Sequence, residues 1–224
     1  MNVKQKYDEE TREYFKAEEL KLGPWTSKGM MDDPKHLAFV LSRYKFVAKM
    51  LEGRKKVLEV GCGDGFGIPI VAQAVDRLYA TDWEERFIQD NADRLSFMEN
   101  VEFITNDINL TPVKDVKVSA IYNIDFIEHL DPLKEDIVME HMTASYENKE
   151  NALMITGTPN LSAAKYASPQ SAALHINLKS HETLKALLEK YFYNVLMFGM
   201  NDEVLHTGYA PMCQYLWGIG IGLK

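Results

Sequence analysis

The stretch VLEVGCGDGFG, residues 57–67, places four glycines at alternate positions directly after a short apolar run. Glycine loses more conformational freedom on folding than any other residue, so such a cluster indicates a backbone that lies close against something. The position of the loop at the end of a predicted strand, and the spacing of its residues, indicate what that ligand is.

The chain around this loop alternates between strand-like and helix-like patterns, which predicts a parallel sheet with crossover helices. Strands are expected over residues 56–61, 77–82, 101–107, 118–125 and 151–159, and helices over 67–75, 84–95 and 132–146. A further helix is expected over 180–192, with Ser180 as its N-cap. The strand-like runs 194–200 and 210–222 have no helix between them, so an antiparallel hairpin at one edge of the sheet is expected.

The N-terminal part, residues 1–53, has a different pattern. A weak helix is expected over roughly residues 8–21, and a strong one begins at Pro34, with Asp33 as its cap and Gly53 as its end. We expect residues 54–224 to form the core of what is overall a single domain.

Composition restricts the classes of function. The 224 residues carry a net charge of −8, which disfavours a nucleic-acid partner, because such proteins usually present a basic face. We see no signal peptide and no run long enough to be inserted in a membrane, so a cytoplasmic protein is expected. Cys62 and Cys213 fit no metal-binding spacing. An apolar C-terminal strand is compatible with a homodimer.

The glycine spacing argues against a dinucleotide. A dinucleotide loop has the pattern G-x-G-x-x-G, whereas Phe66 stands where the third glycine would be. Glu59, two residues before the first glycine, would repel a diphosphate and suits a cation or sugar hydroxyls. An NAD-dependent oxidoreductase is therefore the least favoured reading.

The segment VLEVGCGDG resembles motif I of the class I S-adenosylmethionine-dependent methyltransferases, E/D-x-G-x-G-x-G. The resemblance implies an α/β fold, namely a Rossmann-like doubly wound sheet of seven mostly parallel strands with a C-terminal antiparallel strand pair and N-terminal lid helices. It also implies that the loop binds S-adenosylmethionine, or the product S-adenosylhomocysteine. The loop residues assigned to the cofactor are Glu59, Gly61, Cys62, Gly63 and Gly65.

Further cofactor residues follow from the same resemblance. Asp82 lies seventeen residues after Gly65, where the family places a ribose-binding acid, and Trp83 would pack on the adenine. Asp107 corresponds to the acid near the adenine amino group. The complete additional set is Asp82, Trp83, Asn106, Asp107, Ile108, Asn123 and, for the cofactor carboxylate, Arg43.

The segment NIDFIEHLDP, residues 123–132, resembles a stretch found in the subfamily of ubiquinone-pathway methyltransferases. Asp125 replaces the first acid of that stretch, while Glu128 and His129 match it. His129 is the first candidate for a catalytic base, with a structural helix cap as the equal alternative, and Glu128 is assigned to the same site. No metal is expected, although a cation held by Asp125, Glu128 and His129 stays open as an alternative.

The arrangement TPN…H-x-N resembles methyltransferases of bacterial surface-glycan gene clusters, which implies that His175 and Asn177 face the acceptor. We therefore expect methyl transfer to an oxygen of a small polar metabolite, or of a sugar-derived capsule precursor. The alternatives are N-methylation of a small molecule and a non-catalytic cofactor-binding protein.

Overall fold

The computed structural model describes residues 1–16 and 19–224. In this part of the chain eight strands form one sheet: β1 Lys56–Val60, β2 Arg77–Asp82, β3 Val101–Thr105, β4 Ala120–Ile124, β5 Leu153–Pro159, β6 Phe192–Asn201, β7 Val204–His206 and β8 Tyr215–Leu223. Their order across the sheet is β3-β2-β1-β4-β5-β8-β6-β7. The pairings among β1 to β5 are parallel, and those of β8 with β5 and β6, and of β7 with β6, are antiparallel.

Helices cover both faces of this sheet and extend before it. They are α1 Val3–Tyr14, α2 Pro24–Asp32, α3 Pro34–Leu51, α4 Ile68–Ala72, α5 Glu85–Arg94, α6 Glu135–Thr143, α7 Pro169–Leu174 and α8 His181–Tyr191. Within the described residues, none of these helices combines the length and the apolarity that a membrane crossing requires.

The expected α/β fold is confirmed, but the expected count of seven strands is wrong. The additional strand, β7, is only three residues long and pairs with the end of β6 from Gly199 to Asn201. A strand of that length shows too few alternations for a sequence pattern to reveal it.

The expected antiparallel pair of late strands at one edge of the sheet is confirmed, with only the short β7 outside it. Within this pair β8 lies inside the sheet, where Thr156 of β5 and Met197 of β6 both face Gly218. Almost all of β8 is buried. A strand covered on both faces has a continuous apolar sequence, and the run LWGIGIG has that character.

The N-terminal segment differs from expectation in two further ways. Asp33 has φ −150° and ψ 84°, and its side chain makes no capping hydrogen bond to α3. Helix α2 was not expected, and its N-terminal amides are capped from a distance by Asp64, which accepts from the amide of Thr26 at 2.7 Å. Of the helix expected over 8–21, residues 17–18 lie outside the described residues, and α1 begins earlier, at Val3.

Two apolar layers hold the sheet rigid. On one face α3 and α4 bury Leu51 and Ile68 against Trp217, and on the other face α8 buries Leu188 near Ile121. Each such side chain contributes about 1.5–3 kcal/mol when fully buried. The ends of β1, β2, β3 and β4 are therefore firmly placed at one edge of the sheet, where the functional loops begin.

Candidate active site

A cavity of about 1070 Å³ lies at the carboxyl edge of the parallel strands. Loops that follow β1, β2, β3 and β4 line it, together with the start of α2 and the segment around the end of α7. Ligands of open α/β sheets bind at this edge. Of the residues assigned from the sequence, the wall contains Gly61, Asp82, Trp83, Asn106, Asp107, Ile108 and His129.

The glycine loop is shaped by contacts within the protein. Gly61 has φ +79°, and a Cβ at this position would lie 2.6 Å from the ring of Phe126. The amides of Gly61 and Cys62 both donate to the carbonyl oxygen of Thr81, at 2.8 and 3.0 Å. The need for glycine at position 61 thus follows from the fold itself, in addition to any ligand that the loop accommodates.

Asp82 connects the loop to the next strand. Its Oδ2 accepts from the amide of Gly63 at 2.9 Å, and its Oδ1 accepts from the amide of Glu84 at 2.9 Å. These bonds fix the carboxylate on the cavity wall. The neighbouring Trp83 has 67% of its surface exposed, so its ring is accessible to a ligand.

Helix α5 holds the loop from the other side. The side-chain amide of the fully buried Asn91 donates to the carbonyl oxygen of Gly63 at 2.8 Å, and Arg94 donates to that of Asp64 at 2.6 Å. In the sequence Asn91 lies at helical spacing between Ile88 and Leu95, and it was not assigned a role. A polar residue within an otherwise apolar stripe was the available signal.

Glu59 does not reach the cavity wall. It is buried below the loop, and its Oε2 accepts from the hydroxyl of Tyr122 at 2.7 Å. Burial raises the pKa of Glu59 to about 7 against the lowering effect of that hydrogen bond. The residues that likewise lie off the wall are Cys62, Gly63, Gly65 and Asn123. Burial also raises the pKa of the Cys62 thiol well above its usual range, which leaves it unreactive.

Arg43 is committed to partners within the protein. Its guanidinium forms an ion pair with Asp125 and stacks 3.9 Å from the centre of the Tyr215 ring and 4.6 Å from that of Phe39. Arg43 is buried and lies off the cavity wall. The structure therefore pairs the Arg43 guanidinium with Asp125, whereas the sequence predicts that this group pairs with the cofactor carboxylate.

Glu128, His129 and His175 come together beside one end of the cavity, where His129 is on the wall and the other two are not. One carboxylate oxygen and one nitrogen of each ring lie within 4.8 Å of one another, and the ring centres are 5.0 Å apart. Burial, followed by the charge of Asp125, raises the pKa of Glu128 to about 8. Burial and then the neighbouring His129 lower the pKa of His175. The set considered from the sequence was Asp125, Glu128 and His129. In the structure His175 takes the place of Asp125 in this cluster.

Asn177 positions the segment that carries His175. Its amide donates to the carbonyl oxygen of Glu128 at 2.9 Å, and its side chain donates to Glu135 at 2.8 Å. Asn177 is buried and is not on the cavity wall, and its hydrogen bonds hold two segments together.

Two aromatic residues that sequence reasoning missed cover the glycine loop. Trp25 at the start of α2 packs edge-on against Phe87 at a ring distance of 4.4 Å, and both line the cavity. The Trp25 ring lies 3.2 Å from the place that a Cβ of Gly63 would take. The signal in the sequence for this contact was a Trp directly after Pro24.

The glycine loop and the acid at the end of β2 lie in the part of the chain that resembles a known domain. Residues 57–147 match a family model described as a methyltransferase domain. This match shows that the part of the chain that carries the glycine loop is similar to a methyltransferase domain.

The chain is similar in sequence to a probable S-adenosylmethionine-dependent methyltransferase of Mycobacterium tuberculosis, with 30% identity over 91 residues. It is also similar to one of Mycolicibacterium smegmatis, with 30% identity over 87 residues. Each match covers 39% of this chain and 32% of the relative, so the chain spans about a third of the length of the curated relatives it matches.

Two solved structures illustrate the shared fold. The methyltransferase domain of bacterial CtHen1-C superposes with a TM-score of 0.67 at 18% identity, over 82% of this chain and 99% of that one. The N-methyltransferase NodS of Bradyrhizobium japonicum, in complex with S-adenosylhomocysteine, superposes with a TM-score of 0.60 at 14% identity, over 89% and 92%. At these identities the likeness concerns the fold.

Proposed function

We propose that this protein transfers the methyl group of S-adenosylmethionine to an oxygen of a small polar acceptor. A sugar-derived precursor of a surface glycan is the acceptor class we favour. The observation that carries the proposal is that one cavity wall includes both Asp82, a fixed carboxylate at the end of β2, and His129, beside a buried acid and a second imidazole.

The cofactor would lie along the ends of β1, β2 and β3. The Asp82 carboxylate would accept hydrogen bonds from the ribose hydroxyls, and charged hydrogen bonds of this kind contribute about 1.5–3 kcal/mol each. Trp83 and Ile108, which line the same cavity, would contact the adenine. The methionine end would then lie by Gly61, with the methyl group directed towards His129.

The acceptor would bind at the end where His129, His175 and Glu128 meet. Methyl transfer is an in-line displacement: the oxygen–carbon bond forms as the sulfur–carbon bond breaks, and the electron pair stays on the sulfur of S-adenosylhomocysteine. Alignment of the two reactants reaches effective molarities of about 10⁵–10⁸ M. A base that removes the hydroxyl proton adds about 10²–10⁴-fold, and His129 is the wall residue placed to do so.

A polar acceptor agrees with the charges around this end. The carboxyl group of Glu128 and the Arg43–Asp125 ion pair place polar and charged groups beside the two imidazoles, which suits hydroxyl-rich molecules. The chain is acidic overall, with a net charge of −8, which supports a small acceptor over a nucleic acid. Residues 1–53 would act as the lid, because α2 lies over the glycine loop.

The first test is isothermal calorimetry with S-adenosylhomocysteine, beside NAD as the competing cofactor class. We expect saturable binding of S-adenosylhomocysteine, no binding of NAD, and affinity at least about tenfold weaker in Asp82→Asn, because a charged hydrogen bond is lost. Asp76→Asn, an exposed acid just before β2, is the matched control and should bind like the wild type. Absence of binding to the wild-type protein would refute the proposal.

A second test addresses the reaction. Labelled S-adenosylmethionine is incubated with pooled nucleotide sugars and polar metabolites, and transfer is compared between the wild type and His129→Gln. A non-catalytic cofactor-binding protein would transfer no label at all. A label located on a nitrogen of the product by mass spectrometry and NMR would favour N-methylation over transfer to oxygen.

A further inference from the structure

The cluster of Glu128, His129 and His175 has the composition of a metal-binding site. One ligand atom from each residue lies within 4.8 Å of the others. Atoms bound to one ion at about 2.0–2.2 Å are at most about 4.4 Å apart, so small side-chain rotations would bring all three onto a common ion.

A second observation concerns the buried carboxylate. Glu128 is fully buried, and its Oε2 accepts from the hydroxyl of Thr158 at 2.9 Å. Its Oε1 is also buried and has no hydrogen-bond partner among the residues that the structure describes. A buried carboxylate oxygen without a partner is unfavourable, and a bound cation would supply the missing interaction.

The surroundings of the two rings favour the same role. Nδ1 of His129 lies 3.1 Å from the carbonyl oxygen of Leu174, which can only accept, so Nδ1 carries the proton. Nε2 of this ring is then free to bind an ion, an arrangement that is typical of metal-binding histidines. The hydrogen bond from Asn177 to Glu128 holds the segment with His175 against the cluster.

We infer that Glu128, His129 and His175 bind a divalent first-row transition-metal ion. Two imidazoles and one carboxylate suit zinc, iron, cobalt or manganese, whereas magnesium and calcium prefer sites made of oxygen ligands. The nearby positive charge of Arg43 is paired with Asp125 and not with Glu128. This inference departs from the sequence-based expectation of no metal, and from the alternative that included Asp125.

The ion's role, unlike the site itself, rests on the proposed methyl transfer. Three protein ligands leave a coordination position open, as in catalytic metal sites. An acceptor hydroxyl bound there loses its proton to water more easily, and the resulting oxygen attacks the methyl group while the sulfur–carbon bond breaks. In this arrangement both imidazoles are ligands, and the ion replaces His129 in activating the acceptor.

The test is a cobalt titration of the full chain after dialysis against a chelator, followed by visible absorption and calorimetry. We expect one Co²⁺ per chain, and affinity at least about tenfold weaker in each of His129→Gln and His175→Gln. His181→Gln, a histidine at the start of α8 outside the cluster, is the control and should bind like the wild type. Thermal unfolding shows whether each variant is folded.

The outcomes separate the site from the proposed function. Absence of saturable Co²⁺ binding, or undiminished binding in the folded double variant of His129 and His175, would overturn the inference. Binding that depends on both histidines supports it. Since no cofactor is present in the titration, a protein that binds Co²⁺ in this way but fails to bind S-adenosylhomocysteine would retain the metal site and lose the proposed function.

Discussion

The carboxylate of Asp64 accepts two hydrogen bonds from Thr26, one from its amide at 2.7 Å and one from its hydroxyl at 3.2 Å. Asp64 belongs to the glycine loop, and Thr26 lies in the first turn of α2. All these atoms are buried or nearly so. The loop that would bind the cofactor and the helix that covers it are therefore joined by one side chain.

Asp64→Ala should remove the hydrogen bonds that connect the glycine loop to α2. Loss of a buried hydrogen bond to a charged group lowers the free energy of unfolding by about 1.5–3 kcal/mol, and α2 should become more susceptible to protease. Urea unfolding and limited trypsin digestion measure the two effects. Asp93→Ala, an exposed acid on α5, is the control. Equal stability and equal digestion of the two variants would show that α2 is held by other contacts.

Gly61 and Gly53 provide a matched comparison, because both have φ +79°. A Cβ at Gly53 would meet no described atom within 4 Å, whereas at Gly61 it would meet Phe126 at 2.6 Å. Gly53→Ala should lower the free energy of unfolding by about 1–2 kcal/mol, through backbone strain alone. Gly61→Ala should cost about 1–3 kcal/mol more, through overpacking. Chemical denaturation of both variants tests this, and equal losses would contradict it.

The raised pKa of Glu59 should make stability depend on pH. Its pKa in the folded protein is about 7, above the ordinary value of 4.5, so the folded state favours the protonated form. The corresponding stabilisation is complete below about pH 4.5 and is lost as the pH rises through about 7. Relative to Glu59→Gln, the wild type should therefore become less stable between pH 5 and pH 8, by up to about 3 kcal/mol.

Urea unfolding at several pH values gives this difference directly. Contributions of other groups, including Glu128, are present in both proteins and cancel. Glu99→Gln, an exposed acid, should show the same pH dependence as the wild type. A constant difference between the wild type and Glu59→Gln across the range would mean that Glu59 does not titrate there.

Trp83 should contribute to the affinity for the cofactor. Its ring is 67% exposed on the cavity wall, while Trp217 is fully buried in the core. Stacking of a base on an aromatic ring contributes about 1–3 kcal/mol, so Trp83→Ala should weaken binding of S-adenosylhomocysteine about tenfold. Phe97→Ala, an exposed aromatic away from the cavity, should not. Unchanged affinity in Trp83→Ala would place the adenine elsewhere.

Much of the parallel half of the fold could be predicted, because its strands and helices have strong local patterns. The predicted strand 77–82 matches β2 at both ends, and Ser180 caps α8 as predicted, accepting from the amide of Thr183. Helix α2 was missed because its cap, Asp64, is distant in sequence. The position of β8 between β5 and β6 was not predicted, because pairing between strands that are distant in sequence is not encoded locally.

In the candidate site, too, features with a local sequence pattern could be predicted and contacts between distant segments could not. Asp82 and the glycine loop follow from spacing, and the structure places Asp82 on the cavity wall. The partner of Arg43 could not be predicted, because its ion pair with Asp125 joins α3 to the end of β4. Similarly, the sequence places Glu128 next to His129, but only the folded segment after α7 brings His175 to them.

The internal position of β8 affects the order in which the chain can fold during synthesis. Strands β1 to β5 pair with one another and can assemble while the rest of the chain is still being made. Strands β6 and β7 are connected to the rest of the sheet only by pairing with β8. They can therefore join it only after residues 215–223 have been synthesised and have left the ribosome. Until then β5 has an open edge, and a nascent chain with such an edge is exposed to pairing with other chains.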